Sequence, residues 1–121
     1  MSEGINILSP ENQGNVFYAP EIDLDIALAA GVNVLVAGVA NAQVQIMSFI
    51  MGVEKPCSIW LRTGTTNRLP IPVGGKGGMS FLQGTRPIFY SKVGEDINMN
   101  ISSDPGANAG VLITYRLARQ T

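Results

Sequence analysis

The stretch that most resembles a reactive site is LPIPVGGKGGMSFLQG (residues 69–84), where a lysine lies within a run of glycines. A phosphate-binding loop of this composition joins a strand to a helix and ends in Gly-Lys-Ser/Thr. Here Gly75-Lys76 is followed by another glycine, Pro70 stands where the motif needs its first glycine, and the following residues do not begin an amphipathic helix. The stretch is therefore predicted to be a connector, in which Pro70 and Pro72 lie on an edge strand or extended segment and the glycine run forms a loop.

The residue types of common catalytic and metal sites are missing or dispersed. The chain has no histidine, which removes the commonest general base and any Ser-His or Cys-His nucleophile pair, and it has a single cysteine. Asp23 and Asp25 share one face of a predicted strand, but this pair supplies too few oxygen ligands for Ca²⁺. Glu95 and Asp96 are expected to point to opposite faces. The sequence therefore predicts no enzyme activity, no cofactor and no metal site.

The basic residues do not predict nucleic-acid binding. The formal net charge is −1, so the chain has no overall attraction to an acidic polymer or membrane. The central bases are spread along the sequence without interleaved aromatic residues, which would be the expected sign of a nucleic-acid surface. They are Arg62, Arg68, Lys76, Arg86 and Lys92.

Neither membrane insertion nor export is expected. The longest weakly polar run, residues 26–40, is interrupted by Asn33 and is too short to span a bilayer. No basic and apolar signal segment follows Met1. The chain is therefore expected to be a soluble product of a reducing cytoplasm, with Cys57 as a buried, inert thiol among apolar neighbours.

The acids are concentrated at the N-terminus. Residues 1–25 hold five acids and no base, whereas the remainder holds eight bases and four acids. We predict an acidic leader over residues 1–20, followed by a single domain over residues 21–121. The leader is a candidate partner-binding arm, with a merely solvated segment as the alternative; the arm's candidate residues are Glu3, Glu11 and Glu21.

The elements that position these residues are predicted to be strands. Apolar residues alternate with polar ones in three segments, residues 21–29, 95–102 and 110–118, which is typical of half-buried strands. Residues 26–42 are rich in alanine, but their glycines and β-branched residues favour two strands joined near Gly31 or Asn33 over a helix. Roughly seven to nine short strands separated by Gly, Pro and Asn clusters indicate an all-β chain, an antiparallel sandwich or barrel.

One predicted strand is apolar on both sides. In AQVQIMSFIMGV (residues 42–53), simple alternation places Val44, Ile46 and Ile50 on one face. The opposite face would have no second layer of the same chain to cover it in a two-layer sandwich. That face is therefore a candidate oligomer interface, and a long loop folded over it is the alternative. Its predicted members are Met47, Phe49 and Met51, with Trp60 as an addition to the same patch.

The second half of the chain resembles a known group of proteins. A strand with an aromatic residue (SIWLRTG) is followed by a Gly-rich segment (VGGKGGMSF), Pro-Ile-Phe-Tyr, GEDINMNIS, a short turn and GVLITYRLA. This order, over about residues 43–118, resembles the small β-sandwich virion proteins of tailed bacteriophages, most of all head decoration (cement) proteins. The resemblance implies a jelly-roll-like antiparallel β-sandwich without catalytic activity.

It also implies partners and a location. Such proteins sit on the outer capsid surface after synthesis in the host cytoplasm, bind the major capsid protein, stabilise the shell and form homo-oligomers, trimers or dimers. We therefore expect a capsid decoration protein, with a trimer favoured.

Two other functions remain open. The first is a phage tail or head-fibre component that contacts a host receptor through its loop tips, which would be Gly64–Arg68, Gly74–Gly78 and Ser103–Gly110. The second is a carbohydrate-binding jelly-roll module, whose exposed aromatic residues would be drawn from Trp60, Tyr18, Tyr90 and Tyr115, with Tyr115 expected on a core face.

Overall fold

The computed structural model describes residues 16–82 and 86–120, and within them the chain forms ten β-strands in two antiparallel sheets. This confirms the predicted antiparallel β-sandwich. The strands are β1 (Val16–Tyr18), β2 (Ile22–Ala27), β3 (Gly31–Val36), β4 (Gln43–Gly52), β5 (Cys57–Thr63), β6 (Thr66–Val73), β7 (Gly78–Leu82), β8 (Phe89–Tyr90), β9 (Ile97–Ile101) and β10 (Gly110–Gln120).

The strand order is that of a jelly roll. The first sheet has the order β2-β10-β4-β7, with the short strands β1 and β8 added along β10 and β4. The second has the order β3-β9-β5-β6. Eight strands in two four-stranded layers joined in this way form the jelly roll of viral capsid and lectin domains. The ten strands exceed the predicted seven to nine because they include β1 and β8, which are only 3 and 2 residues long. The other eight lie within the predicted number.

The core lies between the sheets and follows the predicted alternation. On β9, Ile97, Met99 and Ile101 are buried, and on β10 Val111 and Ile113 are buried with them. Full burial of such a side chain contributes about 1.5–3 kcal/mol relative to exposure. The β-period in the sequence therefore identified the inward faces of these two central strands.

The alanine-rich stretch is two strands, as predicted. β2 ends at Ala27 and β3 begins at Gly31, whose φ of 94° suits glycine at the turn. The carboxamide of Asn33 fastens the turn, because its oxygen accepts from the Ala29 amide at 3.0 Å and its nitrogen donates to the Ala29 carbonyl at 2.8 Å. Gly31 and Asn33 therefore fix the turn by which the chain passes from the first sheet to the second.

The glycine-rich segment is a connector at the edge of a sheet, as predicted. Pro70 and Pro72 lie on β6, the edge strand of the second sheet, opposite Trp60 and Ser58 of β5. Because proline cannot donate to a ladder, its nitrogen belongs on the outward side of an edge strand. Residues 74–77 then form a tight turn into β7, with the Gly77 amide donating to the Gly74 carbonyl at 3.0 Å.

The β9–β10 loop contains most of Ser103–Gly110, which the sequence predicts to be an exposed loop tip, and its centre differs from that prediction. Pro105 and Gly106 are buried, and the Pro105 carbonyl accepts from the amides of Glu54 and Lys55 in the β4–β5 loop. The Glu54 carboxylate in turn accepts from the backbone and side-chain nitrogens of Asn108, each at 2.8 Å. The prediction of exposure was wrong for the centre of this loop because a second loop lies alongside it.

The sandwich begins earlier than the predicted boundary at residue 21. Val16–Tyr18 pairs with the end of β10, so the last part of the predicted leader is a strand of the first sheet. Glu21 is exposed between β1 and β2. Glu3 and Glu11, the other two candidate arm residues, lie outside the described residues.

Candidate interaction surfaces

A β-bulge in β4 decides which of its side chains face the core. Along β10, Thr114 pairs with Ser48 but the next residue, Tyr115, pairs with Ile46. The register shift leaves Met47 as the extra residue, and an extra residue reverses the parity of the strand beyond it. Val44 and Ile46 before the bulge, and Phe49 and Met51 after it, therefore all lie in the core cluster.

This corrects the assignment of an outer face to Met47, Phe49 and Met51. Their exposed fractions within a single chain are 2%, 2% and 4%, so they present almost no surface to a partner. Ile50, which was assigned to the opposite face, is instead 46% exposed. The predicted apolar patch was wrong because alternation was counted straight through the bulge.

Trp60 is exposed, but on the other sheet. It lies on the outer face of the second sheet, opposite Asn100 on β9 and Pro70 on β6, and Asn100 is in turn opposite Val32 on β3. Trp60 is 37% exposed and Val32 57%. We call the four residues Val32, Asn100, Trp60 and Pro70 the cross-strand row; it spans the sheet and contains no charge.

Two buried polar atoms without partners lie two residue pairs along from this row, on the next pair of the same face. Arg62 and Asn98 are cross-strand neighbours, and both side chains donate to the Gly64 carbonyl, at 3.4 Å and 2.8 Å. Arg62 Nε and Asn98 Oδ1 nevertheless have no hydrogen-bond partner. A free donor beside a free acceptor matches a hydroxyl or an amide group, which can accept from one and donate to the other. A ligand would reach them only if neighbouring side chains moved, because both atoms are buried.

The aromatic residues proposed for a sugar platform are not on one face. The guanidinium of Arg116 lies 4.0 Å from the ring centroid of Tyr18, and Arg116 Nε donates to Gln45 Oε1 at 2.8 Å. Tyr115 packs against the core, as predicted. Tyr90 pairs with Gln45 on β4 in the first sheet, whereas Trp60 belongs to the second. Trp60 is thus the only member of the set on the second sheet.

Three of the four carboxylates in the two acidic pairs accept hydrogen bonds from neighbouring side chains. Asp23 and Asp25 are exposed on β2, and Asp23 Oδ1 accepts from the Thr114 hydroxyl at 2.7 Å. Glu95 Oε1 accepts from the Thr63 hydroxyl at 2.8 Å, and Asp96 Oδ1 accepts from the Asn98 side chain at 3.1 Å. No group of three or more His, Cys, Asp or Glu residues that could hold a metal ion occurs among residues 16–82 and 86–120.

Perturbed titrations belong to structural contacts. The Asn108 hydrogen bonds hold the pKa of Glu54 below its ordinary value. The Gly106 amide, and after it the Lys55 ammonium, lowers the pKa of Asp104. Burial raises the pKa of the Cys57 thiol, which keeps it in its unreactive protonated form. These groups hold loops or fill the core, and none is paired with a nucleophile.

The three loop tips proposed for receptor contact lie at two ends of the sandwich. The β5–β6 turn at Gly64 bonds to Asp96 in the β8–β9 loop. The β6–β7 turn and the β9–β10 loop both bond to the β4–β5 loop, through the Lys76 amide to the Glu54 carbonyl and through Pro105. Gly74–Gly78 and Ser103–Gly110 therefore share an end, and Gly64–Arg68 lies apart from them.

Sequence reasoning found Trp60 but missed its neighbours. Val32 alternates in GVNVLV and Asn98 and Asn100 alternate in INMNI, so each was recognisable as lying on one face of a strand. Their proximity depends on the strand order of the sheet. That order could not be inferred from the single sequence.

No family model matches the chain, and no curated protein matches it. Within the part of the chain that the structure describes, no helix is long and apolar enough to cross a membrane.

Proposed function

We propose that the protein is a non-enzymatic virion component, a capsid decoration protein that binds the major capsid protein on the outer shell and stabilises it. The observation that carries the proposal is the uncharged cross-strand row, Val32, Asn100, Trp60 and Pro70, displayed on the open face of a jelly-roll sheet. An exposed tryptophan flanked by apolar and amide groups is the residue type that dominates protein interfaces.

The remainder of the molecule supports a binding role. Charged residues make up only 14% of the chain, and the titratable groups with shifted pKa values hold loops in place or are buried in the core. A flat, weakly charged sheet suits contact with a large protein surface better than enclosure of a small substrate. Homo-oligomers, with a trimer favoured, remain part of the proposal.

The test is a copy count on purified particles from the source, by quantitative mass spectrometry against the major shell protein. A copy number comparable with the shell protein supports decoration. A handful of copies favours the tail or head-fibre alternative, and none refutes the virion proposal.

A matched pair of variants tests the assigned face. Trp60→Ala removes the centre of the row and should weaken rebinding to particles stripped of the protein, by about tenfold or more for a central aromatic anchor. Val93→Ala is the control, because Val93 is also exposed but lies in the β8–β9 loop. Equal rebinding of the two variants would show that the cross-strand row is not part of the contact with the particle.

A second candidate is glycan binding at the same face. It is favoured by the exposed Trp60 ring, on which a sugar would stack; the buried Arg62 Nε and Asn98 Oδ1, two residue pairs along, would meet its hydroxyls only after neighbouring side chains moved. Trp60 is the only tryptophan, so its fluorescence would report a sugar directly. Saturable quenching by neutral oligosaccharides, absent in Asn98→Ala, would support this function. An unchanged spectrum would exclude stacking on Trp60.

A further inference from the structure

Acids and bases occupy different strands. From residue 20 to residue 53 the chain has three acids, Glu21, Asp23 and Asp25, and no base. From residue 64 to residue 91 it has three bases, Arg68, Lys76 and Arg86, and no acid. The first segment supplies β2, β3 and the uncharged central strand β4, and the second supplies β6, β7 and β8. The formal charge therefore separates into −3 on β2 and the residue before it, and +3 on β6, the β6–β7 turn and the segment before β8.

The fold places these two sets on opposite sides of the sandwich. β2 and β3 are the edge strands of their sheets on one side, and β7 and β6 are the edge strands on the other. Across four strands the two sides are about 14 Å apart. We call the side formed by β2 and β3, with its three acids, the acidic flank. The basic flank is the side formed by β6, β7 and β8, with its three bases.

The charged side chains are available for contact. All three acids and all three bases are exposed. Other charges lie nearby: Arg116 and Arg119 are on β10, at its β1 end, and Glu54 is next to the Lys76 turn. Arg116 is engaged by Gln45 and Tyr18, and Glu54 by Asn108. With these neighbours included, the net charge of each flank keeps its sign.

Each flank also has an apolar residue at the open rim between the sheets. Ile22 on β2 has the inward parity of Leu24 and Ile26 yet is 48% exposed. Leu69 on β6 has the inward parity of Ile71 and is 40% exposed. An apolar residue beside charged ones is the combination that a protein interface buries at its centre and rim.

We propose that copies of this protein associate head to tail, with the acidic flank of one copy docked on the basic flank of the next. A symmetric contact of either flank with itself would bring like charges together, which costs several kcal/mol at an interface. A head-to-tail contact pairs −3 with +3 and Ile22 with Leu69. Such a contact closes into a ring if the rotation between copies closes, and otherwise gives an open filament.

The inference deepens the homo-oligomer part of the proposed function and does not require the capsid. Its test uses the purified full-length chain without particles, so failure of self-association and failure of shell binding are separate results.

The experiment is charge reversal followed by mixing. Glu21→Lys/Asp25→Lys changes the acidic flank from −3 to +1 and leaves Asp23 with its Thr114 bond. Arg68→Glu/Arg86→Glu changes the basic flank from +3 to −1. Masses are measured by sedimentation velocity at about 0.05 M and about 0.5 M salt, because screening at the higher salt weakens exposed charge pairs. Circular dichroism confirms that each variant is folded.

We expect the unaltered chain to be oligomeric at low salt and to dissociate at high salt. Each reversed variant alone should associate at least about tenfold more weakly. The equimolar mixture should associate again, because the −3 flank of one variant meets the +3 flank of the other. A monomeric unaltered chain, an oligomer indifferent to both reversals, or a mixture that does not associate would each overturn the proposal.

Discussion

The position of the bulge in β4 leads to a prediction that distinguishes a core role from an interface role for Phe49. Phe49 lies beyond the bulge and is 2% exposed, whereas its neighbour Ile50 is 46% exposed. If the bulge sets the faces as described, Phe49 supports the fold of a single chain. Phe49→Asp should then unfold the domain instead of producing a folded, dissociated one.

The magnitude follows from burial. Replacing a buried phenylalanine by alanine costs about 3–5 kcal/mol, through lost transfer free energy and the cavity left behind. The same truncation at Ile50 removes a side chain that is already nearly half in water, so about 1 kcal/mol is expected. A domain of this size has a free energy of unfolding of roughly 5–15 kcal/mol. Phe49→Ala therefore removes a large share of it and Ile50→Ala a small one.

Urea unfolding of the two alanine variants and the unaltered chain, followed by circular dichroism, measures these differences. Repeating it at several protein concentrations distinguishes core from interface, since stability drawn from association depends on concentration and core stability does not. The reasoning is refuted if Phe49→Ala and Ile50→Ala lose equal stability. It is also refuted if Phe49→Asp remains folded and only the molecular mass falls.

Three more results are expected. Glu54→Gln should lower the urea midpoint at pH 7 more than Glu21→Gln, because an amide cannot accept both bonds from the β9–β10 loop. Folding lowers the Glu54 pKa, so the stability that the carboxylate contributes is present above pH 4.5. It is lost as the pH falls through the pKa of Glu54 in the folded chain. Gly38→Ala should destabilise the fold by about 1–3 kcal/mol, because the new Cβ would lie 2.5 Å from a backbone carbonyl of the β8–β9 loop, whereas Gly74→Ala meets nothing within 4 Å. Cys57 should react with iodoacetamide far more slowly in the native chain than in urea, since burial raises its pKa; comparable rates would contradict its position in the core.

The fold was largely readable from the sequence because its information is local. Alternation in INMNI identified a half-buried strand, and proline in LPIPV identified an edge strand or extended segment, from the chemistry of those residues alone. The bulge at Met47 was not readable, because it is defined by the partner strand. A sequence gives the parity within a strand but not the register between strands.

The candidate surfaces were also predictable only as far as they depend on local sequence. Trp60 was recognisable as an exposed aromatic residue, but its association with Val32 and Pro70 required the sheet order. The charges were visible as an acidic N-terminal part and a basic remainder. Their separation onto two flanks appears only when β2 and β6 are placed at opposite edges of the sandwich.

The prolines of β6 have a consequence for polymerisation. Pro70 and Pro72 leave the outer side of that edge without two backbone donors. At the other edge of the same sheet, β3 has the sequence GVNVLV, with neither proline nor charge, so its protection against strand addition rests on the register shift between Val34 and Val36. If two chains joined their second sheets through β3, against the repulsion of their two acidic flanks, the new eight-stranded sheet would end in β6 on both sides. Growth of that sheet by further strand pairing would then stop at two copies, because both of its outer edges carry Pro70 and Pro72.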